Sequence, residues 1–231
     1  MEKLHKFPDR NALVTALAGE VTALLARGIE KNGRASLAVS GGSTPVELFE
    51  HLSGMDIPWK DVVIFLVDER WVEPDDPDSN ERLVRDHLLK GRAQAAQFIG
   101  MKTRAATVGE GEAECEERLK DVPLPFDVLI LGMGGDGHTA SLFPGAKKLP
   151  AAIDMNSGRQ CMALAPLAAP HERMSLTLPV ILSAKNLFLH IVGPEKMQVL
   201  EKALADGPLE EMPIRFVLRN EERPVNVYWA P

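Results

Sequence analysis

Short apolar runs with almost no polar alternation constrain this chain more than any other feature. They are "SLAV" within 34–40, "VVIFLV" from 62, "DVLILGM" from 127, "CMALA" from 161 and "LFLHIV" from 187. A strand with one wet face alternates, so a continuous run implies a strand covered on both faces. The stretches between them have helical period: "PVELFEHL", "SNERLVRDHLL" capped by Asp78 or Ser79, "EGEAECEERLK", and "PEKMQVLEKAL" with Pro194 in its first turn. Ahead of the first run, Asp9 is a natural N-cap. Leu13, Val14, Leu17, Val21, Leu24 and Leu25 then recur at helical spacing until Gly33 ends the helix. Alternating strands and helices predict an α/β fold, a mostly parallel sheet flanked by helices on both sides. In the tail, "PIRFVL" and "PVNVYWA" read as two further short strands around "RNEERP". The most loop-like stretches, 73–80 and 149–158, do not separate regions of different composition, which predicts a single domain over residues 1–231.

Composition narrows the function classes. A net charge of -7 argues against a nucleic-acid surface, which needs a basic face. Cys115 and Cys161 lack the spacing of a zinc site or a disulfide framework. Charges are scattered through the first 20 residues, and no apolar run there suggests a signal segment or a membrane span. The expectation is a soluble, unprocessed cytoplasmic protein, monomer or homodimer, with no nucleic-acid or membrane partner.

"GMGGDGHTASLFPG", 132–145, carries two competing signals. Gly132, Gly134 and Gly137 fit the G-x-G-x-x-G spacing of a dinucleotide site, and Asp154 lies downstream. That reading needs a helix starting at the glycines, yet Pro144, Gly145 and Pro150 stand where it would run. The alternative is a sharp turn at the carboxyl end of a strand, where open α/β sheets place their sites. His138 beside Asp136 then suits a general base, since a carboxylate fixes the imidazole tautomer and raises its basicity. A capping Asp next to an ordinary surface His fits the same triplet.

Other strand ends carry related signals. "SGGSTP", 40–45, sets Gly41, Gly42, Ser43 and Thr44 before a helix, where free N–H groups and the helix dipole favour a phosphate. The P-loop lysine is missing, so a phosphate monoester fits better than a nucleotide triphosphate, and a plain capped turn fits too. Asp68, Glu69 and Arg70 cluster where a buried strand ends, as a site or as solvated rim. Arg173 and Lys196 are the remaining cation candidates. Lys196 falls in a first helical turn, where the dipole disfavours a cation unless an anion is near.

"SGGSTP", "DERWVEPDDPDSN", "GMGGDGHTASLFPG", "PHERMSLTLP" and "GPEK" together, in this order over residues 7–229, resemble the glucosamine-6-phosphate isomerase/6-phosphogluconolactonase family. The resemblance implies a modified Rossmann-like fold and, in the lactonase branch, hydrolysis of a small phosphosugar lactone to its acid without metal or organic cofactor. It implies phosphate contacts from Gly41, Gly42, Ser43, Thr44, Arg173 and Lys196. It also implies His138 as the base, with Asp68, Arg70 and Asp136 completing the site. Phe143 stands where the deaminase branch carries a Glu in relay with the His, and an apolar ring cannot shuttle that proton. The rival readings are a sugar-phosphate isomerase or deaminase on the same fold, and a sugar-phosphate sensor without catalysis.

Overall fold

The computed structural model describes residues 3–167 and 169–231. The chain begins with β1 (Lys3–Lys6) and the long helix α1 (Arg10–Asn32). The caps of α1 are those the sequence predicts. Asp9 accepts a hydrogen bond from the Ala12 amide at 2.8 Å, and Gly33 turns the chain with φ at 75°. Leu13, Leu17, Val21 and Leu25 form its fully buried face. An 18-residue window of this 23-residue helix reaches a mean hydropathy of 1.5, apolar enough to cross a membrane by length and composition alone, and 44% of that window is buried in the fold. In the fold it packs on β2 (Ala35–Val39) and α2 (Val46–Gly54).

The chain continues through β3 (Val62–Leu66), β4 (Asp68–Arg70), α3 (Asn80–His87), β5 (Gln97–Ile99), α4 (Glu112–Leu119), β6 (Val128–Leu131) and α5 (Leu149–Ile153). It ends with β7 (Cys161–Leu164), β8 (Arg173–Leu176), α6 (Leu178–Ser183), β9 (Leu187–Val192), α7 (Pro194–Leu204), α8 (Ile214–Leu218) and β10 (Asn226–Ala230). Seven strands form one parallel sheet in the order β1-β10-β9-β6-β2-β3-β5. Every residue of β2, β3 and β6 is buried, as their unbroken apolar runs require.

The strand order fixes where a ligand can enter. From β2 the chain moves outward to β3 and β5, then crosses back to β6 and moves the other way through β9 and β10. Connections therefore leave β2 and β6 in opposite directions, which opens a crevice beyond their carboxyl ends. The two glycine motifs follow these two strands.

Two sequence expectations give way. "CMALA" belongs to a separate antiparallel sheet, β4-β8-β7, rather than to the parallel one; a short apolar run does not encode which sheet it joins. "PIRFVL" is helix α8 rather than a strand. Pro213 presets the first turn with φ at -57°, and Ile214, Val217 and Leu218 then share one buried face. Buried Arg215 holds this helix to the end of α7, donating to the carbonyls of Ala203, Pro208 and Lys202. The edge strands β1 (KLHK) and β5 (QFI) are too short to carry an apolar run that would announce them.

Candidate active site

Beyond β2 and β6 lies a cleft of about 290 Å³, at the small end of the range for metabolite pockets. Gly41, Gly42, Ser43 and Thr44 form one wall, His138 and Lys196 another, and Asp68 and Arg70 close the side. Two expected residues stand off the wall. Asp136 sits behind His138, and Arg173 sits beside Arg70 on the neighbouring strand.

His138 is held from three directions. Its Nδ1 lies 2.6 Å from the Asp136 carboxylate, which assigns the proton to Nδ1 and leaves Nε2 as the acceptor. The imidazole hydrogen bond pulls the Asp136 carboxyl down to about 2, so it is ionised at neutral pH. The Phe143 ring packs against the imidazole at 4.2 Å between centroids. Gly134 supplies the third constraint: a Cβ at that position would stand 2.1 Å from the His138 ring, so the close approach requires glycine.

The turn beneath His138 is closed by its own hydrogen bonds. The Gly134 amide donates to the His138 carbonyl at 2.8 Å and the Gly137 amide to the Gly134 carbonyl at 3.2 Å. Those two N–H groups are therefore spent, and neither is free to meet an oxyanion. Arg70 keeps a guanidinium on the cleft, with Nη1 donating to the Asp78 carbonyl.

Asp68, Glu69 and Arg70 form strand β4, not a loose rim. Asp68 accepts a hydrogen bond from the Ser141 hydroxyl at 2.6 Å. Glu69 is fully buried and accepts from the amides of Arg70, Asn80 and Glu81 and from the Ser79 hydroxyl. Its carboxylate thus satisfies the first turn of α3 and ties that helix to β4. Burial pushes the Glu69 carboxyl up to about 7 against the pull of these donors. Arg70 faces Arg173 in the β4–β8 ladder. Arg173 is buried, its Nη1 has no partner among the described residues, and burial together with the Arg70 charge lowers its pKa. Two cations side by side, one incompletely paired, favour an anion nearby.

At the other wall, the amides of Gly41 to Thr44 donate to no protein acceptor among the described residues. They sit just ahead of α2, where the helix dipole adds positive potential. The Asn80 side chain packs so closely over Gly41 that a Cβ there would stand 1.8 Å from its Oδ1. Lys196, in the first turn of α7, meets only the Met133 carbonyl among the described residues, at 2.7 Å.

Three residues escape the sequence reading. Asn80, on the cleft, donates to the Asp68 carbonyl at 2.8 Å. Ser141 fixes the Asp68 carboxylate, with no local pattern to mark it. His190 lines the cleft from within β9, and its signal was a lone polar residue inside "LFLHIV".

The model of the glucosamine-6-phosphate isomerases/6-phosphogluconolactonase family matches residues 8–229. A 6-phosphogluconolactonase of Rhizobium meliloti is 43% identical over 228 residues, covering 99% of this chain and 98% of that protein. One from Pseudomonas putida is 40% identical, covering 99% and 93%. The crystal structure of a 6-phosphogluconolactonase from Shewanella baltica superposes with a TM-score of 0.97 at 43% identity, covering 100% of this chain and 98% of that one. A monomeric glucosamine-6-phosphate deaminase at 18% identity and TM-score 0.78 shares the fold. With nearly its whole length matched by the family model and by relatives of the same size, this chain belongs to the glucosamine-6-phosphate isomerase/6-phosphogluconolactonase family.

Proposed function

We propose that this chain hydrolyses 6-phospho-D-glucono-1,5-lactone to 6-phospho-D-gluconate, the lactonase step of the oxidative pentose phosphate pathway. One observation carries the mechanism: an imidazole tied at Nδ1 to a carboxylate 2.6 Å away lines the same cleft as a turn whose amides have no acceptor among the described residues. The first group suits proton transfer and the second suits a phosphate.

In this reading Lys196 and the Gly41–Thr44 turn hold the 6-phosphate, and the Arg173 and Arg70 cations add positive potential. Neutral His138 takes a proton from water at Nε2 while the water oxygen bonds to C1. The Arg70 guanidinium, which lines the cleft, meets the tetrahedral oxyanion, with the Gly135 amide, which donates to no acceptor among the described residues, as the backbone alternative. The C1–O5 bond then breaks, and the imidazolium returns its proton to O5. Asp136 orients the ring and stabilises its charged form. The phosphate anchor supplies orientation rather than bond making.

Phe143 favours this reading over ring opening by a deaminase, because the ring packed against His138 is apolar and cannot relay a proton. The test is acid release from freshly prepared lactone, corrected for spontaneous hydrolysis, beside ammonia release from glucosamine-6-phosphate. Acceleration of the first alone is expected. Ammonia release would support the deaminase, and binding without turnover would support a sensor.

A further inference from the structure

His190 is only 3% exposed, lines the cleft, and neither ring nitrogen has a hydrogen-bond partner among the described residues. Buried polar groups are almost always paired, and an unpaired one calls for an explanation. Its neighbours in the sheet supply none. Tyr228 is its register partner on β10, where the ring packs edge-on to Phe188. On the β6 side, Leu131 pairs with Leu189, so the residue alongside His190 is Gly132, which has no side chain. His190 thus stands on β9 beside the end of β6, from which the His138 turn departs, and is among the residues that line the cleft.

Resting on the lactonase reading, we propose that His190 is a specificity-determining residue that hydrogen-bonds a ring hydroxyl of the substrate. A neutral imidazole presents one donor and one acceptor, which matches a hydroxyl. A phosphate or carboxylate only accepts and is better served by the Lys196, Arg70 and Arg173 cations. Burial holds the ring neutral, pushing its pKa down to about 4, so it recognises a polar group without demanding a charge. The His138 reaction does not use this side chain. Its effect is to reject lactones that lack the matching hydroxyl, because they leave a buried polar group unpaired.

The experiment is a double-mutant cycle. Wild type and His190→Leu are assayed on the full lactone and on analogues lacking the C2, C3 or C4 hydroxyl. His190→Leu is expected to lower kcat/KM for the full lactone about ten- to a hundredfold. One analogue should be equally poor for the wild type and no poorer for the variant, which is the signature of a direct contact. His190→Gln, which keeps a donor and an acceptor, should recover part of the loss. The melting temperature of unliganded His190→Leu should not fall, since an unpaired buried polar group costs stability. A uniform loss across all analogues, with a lower melting temperature, would mean a packing role and overturn the proposal. Loss of activity without dependence on any hydroxyl would assign the ring to a bound water and overturn it too. If His190→Leu does not fold, the same cycle on His190→Gln decides. A wild type that fails to accelerate hydrolysis sinks the lactonase reading and this inference with it; an active wild type with no coupling sinks this inference alone.

Discussion

β2 and β6 are neighbours in one sheet, and each leaves it through glycines, yet the two turns use their backbone donors in opposite ways. After β6 the donors turn inward: Gly134 to the His138 carbonyl, Gly137 to the Gly134 carbonyl, and the His138 amide to the Asp136 carboxylate at 3.0 Å. After β2 the amides of Gly41 to Thr44 find no protein acceptor among the described residues. The glycines differ in the same sense. Position 134 is bare so that the turn's own histidine can lie against it, and position 41 is bare so that Asn80 from another helix can. A turn that spends three of its donors on itself makes a rigid mount for a side chain. A turn that does not keeps a place for an anion, and mutations should separate the two as effects on kcat and on KM.

The largest effect belongs to the self-satisfied turn. His138→Asn keeps a polar side chain but removes the base, and kcat is expected to fall about 10²- to 10⁴-fold with KM little changed. Initial rates of acid release check this, and activity retained within a few-fold would exclude His138 as the base. Gly134→Ala comes next. A Cβ 2.1 Å from the imidazole must displace it. A misplacement of that order costs kcat up to about a hundredfold. Chemical-shift perturbation confined to the His138 ring should accompany the loss, and an unchanged kcat would show that the mount is not rigid.

The phosphate anchor that faces the open turn's ligand should answer in KM. Lys196→Ala removes a cation that, among the described residues, meets only the Met133 carbonyl. KM is expected to rise about tenfold with kcat nearly constant, because the contact is made equally in ground and transition states. Inhibition by inorganic phosphate should weaken in proportion. A fall in kcat alone would move Lys196 from anchoring to chemistry.

What the sequence reveals follows from how local each signal is. β2, β3, β6 and β9 are legible because a strand covered on both faces has few polar residues to spare. The Asp136–His138 pair is legible because its partners are two residues apart and the glycines fix the turn between them. The Asp68–Ser141 bond spans 73 residues, and nothing near either residue announces it. Glu69 reads as one charge among three, since its role as the cap of α3 depends on the chain returning ten residues later. "PIRFVL" has strand composition, but the contacts of Arg215 with the end of α7 favour a helix.

Between the two turns stands His190, and its smaller effect concerns stability rather than turnover. Its imidazole has a pKa of about 4 in the fold against 6.5 when free of burial. Between those values the unfolded chain takes up a proton that the folded chain refuses. The contribution of neutral His190 is therefore fully present above pH 6.5. It erodes as pH falls toward 4, and below that the loss stays constant. His190→Leu removes this linkage, so its melting temperature should fall less between pH 7 and pH 5 than that of the wild type, by roughly a few degrees. Calorimetry across that range measures the difference. The Asp136 carboxylate, held down at about 2 by the His138 hydrogen bond, stays ionised throughout and adds no slope of its own in this window. Identical slopes for wild type and variant would mean that the folded ring accepts a proton as readily as the unfolded one, and would overturn the assignment of its lowered pKa to burial.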